Sequence, residues 1–263
     1  MPRIAVAATA PFGADVLERL AASHEIAFVL TRPDAPAGRG RTLAAPPAKL
    51  VAEKLGIRVL QPQRPEIEEV DTVVVAAYGL LIPPALLERA LWLNVHPSLL
   101  PRWRGAAPVE RAIMTGDATT GVTIHRTVEA LDAGPIAAQA VFPIEADDDA
   151  GAVYARAASL ATDLLEGVLA EAEPRFEPQP EDGVTYAEKI GPRDRELDLE
   201  RPADELERTV RALSPHIGAR ATLHGRDVIV WRARVEDGAF VPLEVQPDGK
   251  RRMTYDEFLR GVR

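Results

Sequence analysis

The chain reads as an α/β protein, with an open, doubly wound sheet over residues 1–171, a connection over 172–201 and a small β-rich module over 202–263. Three observations predict this. Short apolar runs alternate with amphipathic stretches as far as Glu171, the pattern of a parallel sheet with helices on both faces. Residues 172–183 hold three Pro and little apolar content, as a linker does. Beyond them the apolar residues mostly alternate singly, as in half-buried strands.

Arg3–Ala8 is an apolar run, Pro11–Ala22 repeats its apolar residues at helical spacing, and Glu25–Thr31 is apolar again, giving strand, helix, strand. RPDAPAGRGR, residues 32–41, combines Pro, Gly and three Arg and reads as an exposed loop. A helix at Pro46–Leu55, a short strand at Arg58–Leu60 and a strong strand at Asp71–Ala77 follow. Next come a Pro-initiated helix at Pro83–Ala90 and a strand at Leu91–His96. Helix Gly105–Thr115, strands Gly121–Thr127 and Pro135–Phe142 and helix Asp149–Glu171 complete the sheet domain. The acidic run EADDD, 145–149, supplies charge that favours the N-terminus of that last helix. In the second module Pro202–Leu213 is helical, and ATLHGRDVIVWRARV forms a hairpin turning at His224 and Gly225. A short strand near Phe240 and a small terminal helix close the chain.

Composition narrows the function. The 263 residues are 46% hydrophobic, enough to bury a core, and contain no cysteine, which excludes disulfide frameworks, thiolate metal sites and thiol nucleophiles. No two histidines have metal-ligand spacing, so no metal site is expected. The longest uncharged stretch, Thr72–Leu87, contains Gly79, Pro83 and Pro84 and is shorter than the ~20 apolar residues a spanning helix needs. A soluble, cytoplasmic chain is the expectation. The formal net charge of −9 argues at first sight against a nucleic-acid partner. Its excess acid falls within residues 1–183, however, while 184–263 are balanced.

The first turn, AATAPFG, lacks the G-x-G-x-x-G that lets a backbone approach pyrophosphate, and this disfavours NAD. The densest cluster of polar chemistry is LNVHPSLLPRWRGAAP, Leu93–Pro108, opening at the carboxyl end of a strand, the edge where open α/β sheets bind ligands. Asn94 and His96, two apart, share one face of that strand, and Pro97 restricts His96 to extended geometry. An amide that donates to a developing oxyanion, beside an imidazole that moves a proton, suits acyl transfer. Asp132, in the uncharged loop segment Leu131–Gly134, is the carboxylate best placed to orient the histidine, and its desolvation would raise its pKa. His24, His125, His216 and His224 read as surface or strand residues.

Through NVHPSLLPRWRGAAP and the later Leu131-Asp132-Ala133-Gly134, the sequence resembles the folate-dependent formyltransferase family. RWRGAAP (102–108), RPDAPAGRG (32–40), GDATTGVTI (116–124) and VTYAEKI (184–190) are similar to its methionyl-tRNA branch in particular. The resemblance implies a Rossmann-like catalytic domain and a C-terminal module similar to an OB barrel. It implies 10-formyltetrahydrofolate as donor, methionyl-initiator tRNA as acceptor and a monomer. It also implies a catalytic trio of Asn94, His96 and Asp132, with His96 acting as imidazolium. Ser98, Leu99, Leu100 and Pro101 would line the folate site, and Arg39 and Arg41 would face the acceptor arm of the tRNA.

Three departures stand out. Ala8-Thr9-Ala10-Pro11 replaces the family's Gly-Thr-Pro turn, and Ser214-Pro215-His216-Ile217 stands where a Trp is common. Only ten residues separate Val235 from Gln246, where the family usually has several tens, so the barrel is expected to be truncated. A formyltransferase for an amino-sugar nucleotide or other small amine, and an idle RNA-binding relative, remain the competing functions.

Overall fold

A computed structural model of the chain describes residues 2–37 and 42–262. Arg39 and Arg41 lie outside the described residues. The first elements are β1 (Ile4–Ala8), α1 (Pro11–Leu20), β2 (Ile26–Leu30), β3 (Ala35–Ala37), β4 (Thr42–Ala44), α2 (Pro47–Lys54), β5 (Val59–Leu60) and β6 (Thr72–Ala76). Then come α3 (Pro84–Leu87), β7 (Leu91–His96), β8 (Arg104–Gly105), α4 (Pro108–Thr115), β9 (Thr119–Arg126), β10 (Ile136–Pro143) and α5 (Ala150–Ala170). The remainder holds β11 (Tyr186–Ala187), a 3-10 turn (Arg193–Arg195), α6 (Ala203–Leu213), β12 (Ala219–Leu223), β13 (Arg226–Glu236), β14 (Ala239–Pro247), β15 (Met253–Thr254) and α7 (Tyr255–Arg260). Two compact units result, interleaved in sequence. One comprises Met1–Arg104, Gly121–Val141 and Ala155–Thr185, the other Gly105–Thr120, Phe142–Tyr154 and Tyr186–Arg263.

The first unit is built on a seven-stranded sheet of order β10-β9-β7-β6-β1-β2-β5. Its central strands, IAVAA and TVVVA, are buried at every residue, which is why they read as unbroken apolar runs. β1 pairs in parallel with β2 and β6, β2 with β5, and β6 with β7. The expectation of a parallel sheet needs one correction, because β9 runs antiparallel to β7. Alternation of helix and strand carries no information on strand direction, and mixed sheets of this kind are common. Phe28, Leu30, Val73, Val75, Tyr78 and Trp92 fill the core on one side of this sheet, and the Trp92 indole N–H donates to the Leu86 carbonyl at 2.8 Å. The atypical first turn is ordinary extended backbone, with φ −79° and ψ 170° at Ala10. The Thr9 hydroxyl donates to the Tyr78 carbonyl at 2.7 Å and ties that turn to the loop after β6. The expected loop at 32–41 contains β3, which pairs with β4 as a short antiparallel ladder.

In the second unit β12, β13, β14 and β15 form a four-stranded antiparallel sheet in sequence order. Among the described residues its outer strands do not meet, so the sheet stays open where an OB-like barrel would close. The first hairpin turns at His224 and Gly225, both with positive φ, as a tight right-twisted hairpin demands. The second turns in the same way at Asp237 and Gly238. α6 lays Leu206, Val210 and Leu213, one helical stripe, against Ala219, Val228, Val230 and Val245. β14 has nine residues, longer than the short strand expected near Phe240. Pro242 and Pro247 disguise it, because proline interrupts a strand pattern unless it falls where the ladder is irregular.

Candidate active site

β7 presents Asn94 and His96 on one face at the carboxyl end of the central parallel strands. The antiparallel register with β9 sets His125 opposite Asn94 and Thr123 opposite His96. The loop between β9 and β10 then returns Asp132 to the same place, in a left-handed conformation with φ 46°. The three predicted residues therefore converge. Asn94 Nδ2 donates to Asp132 Oδ1 at 3.1 Å and lies 3.0 Å from His125 Nε2. His96 Nδ1 is 3.8 Å from Asp132 Oδ2, and His125 Nε2 is 3.7 Å from Asp132 Oδ1, both too long for direct hydrogen bonds.

The acceptors around the two rings fix the protons. His96 Nε2 lies 2.7 Å from the Trp103 carbonyl and His125 Nδ1 lies 3.1 Å from the Arg126 carbonyl. Carbonyls only accept, so each of these nitrogens carries its proton and donates. In the neutral rings His125 Nε2 is then the acceptor for Asn94, and His96 Nδ1 is the bare nitrogen that faces Asp132. Side-chain exposures of 5% for His96 and 11% for Asp132 leave little water between them. Burial pushes the His96 pKa below its ordinary 6.5, against the raising effects of the Asp132 carboxylate and the Trp103 carbonyl. That direction favours a neutral ring at rest, so the imidazolium that the resemblance implies forms only as the ring takes up a proton.

Ser98 is fully buried, and its hydroxyl donates to the Arg102 carbonyl at 2.7 Å. Thr123 Oγ1 donates to the Ser98 carbonyl at 2.7 Å and accepts from Leu100 N at 3.2 Å. Leu100 is buried, whereas Leu99 and Pro101 keep partial exposure. This segment is thus welded to β9 and holds the end of β7 in place. Among the described residues no group of three or more His, Asp or Glu could hold a metal ion, and no helix is long and apolar enough to cross a membrane.

Two contributors escaped the sequence reading. His125 is 1% exposed and bonded to Asn94, which strand periodicity could not reveal without the register between β7 and β9. The second is the Pro-rich segment after α5. An antiparallel bridge joins Glu177 to Ile136, and Gln179 touches the Asp132 loop. Pro178, Gln179, Pro180, Glu181 and Val184, with Arg104, Ala133 and Pro135, line a cavity of about 550 Å³.

Residues 2–169 match the formyl transferase family, and residues 189–242 match the formyl transferase C-terminal domain. The methionyl-tRNA formyltransferase of Dechloromonas aromatica is 38% identical over 293 aligned positions, covering 98% of this chain and 95% of that protein. Those positions outnumber the 263 residues present, so that relative carries insertions absent here. A solved methionyl-tRNA formyltransferase from Clostridium thermocellum shares the fold, with a TM-score of 0.67 at 13% identity over 94% of this chain and 99% of that one. So does HypX from Aquifex aeolicus, solved with tetrahydrofolic acid, with a TM-score of 0.69 at 19% identity over 99% of this chain, which spans about half the length of that protein (47%). With its Asn, His and Asp gathered at the carboxyl edge of the sheet and its likeness extending over nearly its whole length, the chain belongs to the formyl transferase family, among the methionyl-tRNA formyltransferases.

Proposed function

We infer that the chain transfers a formyl group to the α-amino group of methionine carried on initiator tRNA, with 10-formyltetrahydrofolate as the donor. The observation that carries this reading is the convergence of Asn94, His96 and Asp132 in a chain related to methionyl-tRNA formyltransferases over 98% of its length. The formyl donor supplies an acyl carbon, and the residues present fit it: an amide donor, a neutral imidazole and a carboxylate within one desolvated site.

The neutral ring assigns the proton traffic. As the amine nitrogen bonds to the formyl carbon, it must shed a proton, and the bare Nδ1 of His96 is the basic nitrogen available, directly or through one water. The imidazolium so formed lies 3.8 Å from Asp132, whose carboxylate stabilises it, and it returns the proton to the departing folate nitrogen. Asn94 stabilises the oxyanion by turning one N–H from Asp132 to substrate, while His125 keeps the other. Ser98, Leu99, Leu100 and Pro101 shape the folate side of the site, with Leu99 and Pro101 exposed enough to touch it. Arg39 and Arg41 meet the acceptor arm. Residues 1–171 act as the transfer domain and 202–263 as a reduced tRNA-holding module, joined by 172–201.

The test is to incubate the protein with 10-formyltetrahydrofolate and methionyl-initiator tRNA, and separately with amino-sugar nucleotides, then measure formylated product. Formyl-methionyl-tRNA in a single turnover is the expected product. Its absence, or formylation of the sugar nucleotide alone, overturns the assignment.

A further inference from the structure

We propose that Gln179 is a positioning residue for the catalytic carboxylate, its side-chain amide clamping the backbone on both sides of Ala133 and so fixing where Asp132 points. Gln179 Nε2 donates to the Asp132 carbonyl and to the Gly134 carbonyl, both at 2.8 Å. Its Oε1 accepts from Arg104 Nε at 3.1 Å and from an Arg104 terminal nitrogen at 2.6 Å. The orientation of the amide is therefore determined by chemistry. A guanidinium only donates and a carbonyl only accepts, so the reverse orientation would lose all four hydrogen bonds. Arg104 aims the amide, and the amide holds the loop.

The loop needs such a hold. Asp132 sits at φ 46°, a left-handed conformation that a residue with a Cβ holds only where its surroundings impose it. Gly134 lies so close to β9 that a Cβ there would be 1.7 Å from the Arg126 carbonyl, so the loop cannot relax in that direction. Within the loop, Ala133 N donates to the Ala130 carbonyl at a long 3.3 Å, and Arg126 N donates to the Pro135 carbonyl at 2.9 Å. The Asp132 and Gly134 carbonyls point the other way, onto Gln179. The residue that receives them is itself anchored two positions earlier, where Ile136 and Glu177 exchange backbone hydrogen bonds of 2.7 and 2.8 Å. The segment between the two family matches thus becomes part of the catalytic support.

The proposal rests on the formyl-transfer reading, and its test separates the two. Gln179→Glu is the discriminating variant, because it is nearly isosteric and keeps an acceptor for Arg104 but turns a carboxylate oxygen onto two carbonyls. Gln179→Ala removes the clamp outright. In steady-state formylation both are expected to lose about 10- to 100-fold in kcat while the KM values for folate and tRNA change less than about threefold, since misplacement by about 1 Å is worth that much. Hydrogen exchange of the 127–136 amides, which needs no activity, should accelerate in both variants while the remaining protected amides keep their rates. If the parent protein forms no formyl-methionyl-tRNA, the function is wrong and exchange alone decides the clamp. If Gln179→Glu keeps kcat within twofold of the parent, or raises KM at unchanged kcat, Gln179 does not position Asp132.

Discussion

Which nitrogen of each imidazole is bare decides what the site can do, and backbone carbonyls settle it for both rings. Burial lowers the His96 pKa, which favours the neutral ring, and its Nδ1 faces Asp132. A titration of the histidine signals by NMR should therefore place the His96 midpoint below 6.5, its ordinary value. Asp132→Asn removes the carboxylate that raises this pKa, so its midpoint should fall further. A His96 midpoint above 6.5, or an upward move in Asp132→Asn, contradicts the neutral-base assignment. Asn94 and His96 were legible in the chain because strand periodicity and Pro97 act locally, and Asp132 because its uncharged loop marks it out. His125 and Gln179 were not. Their roles depend on the register of β7 against β9 and on where a Pro-rich segment returns, and neither leaves a trace at short range.

At the level of elements, the buried parallel strands were plain because their residues are apolar on both faces, whereas the direction of β9 and the length of β14 were hidden. Where helices begin was equally readable. Asp149 accepts from Ala152 N at 2.9 Å at the start of α5, the use expected for the acidic run 145–149. Glu110 in the first turn of α4 shows a local rule being overridden. A carboxylate belongs near a helix N-terminus, yet this one is 9% exposed and takes its hydrogen bond from the Tyr154 hydroxyl at 2.9 Å. Burial wins and lifts the Glu110 pKa above its ordinary 4.5, with the hydrogen bonds opposing it. Because the folded pKa is raised, the stability it contributes is complete below pH 4.5 and is lost as pH rises through the folded value. Glu110→Gln keeps an acceptor for Tyr154 without the buried charge. Its Tm should match the parent near pH 4.5 and exceed it by a margin that grows as pH rises through the folded pKa and is constant above it. A margin that shrinks or changes sign with rising pH would show that the carboxylate is worth its burial.

Across the whole molecule the question is how a chain of net charge −9 holds a polyanion. Total charge is the wrong quantity, because phosphate binding depends on cations that are not already committed. In α6 the basic residues are committed. Arg208 pairs with Asp204 at 2.7 Å, Arg211 with Glu207 at 2.7 Å, and Arg201, just before the helix, with Glu205. Such pairs add little to stability, but they cancel charge where a phosphate would need it. A second module shortened to an open four-stranded sheet offers less surface again. The proposed tRNA contact instead assigns part of the electrostatic work to Arg39 and Arg41. Removing one cation that neutralises a phosphate lowers the slope of log K against log salt by about 0.7–0.9. Replacing both Arg39 and Arg41 with Ala should thus raise the KM for tRNA at low salt and flatten its salt dependence by roughly 1.5 in that slope. Arg201→Ala and Arg208→Ala should leave the slope where it was, since each removes a cation already neutralised by its neighbour. Equal slopes for the loop variants and the parent, or a flattened slope in the α6 variants, would reverse the assignment and place the phosphate-binding cations on the second module.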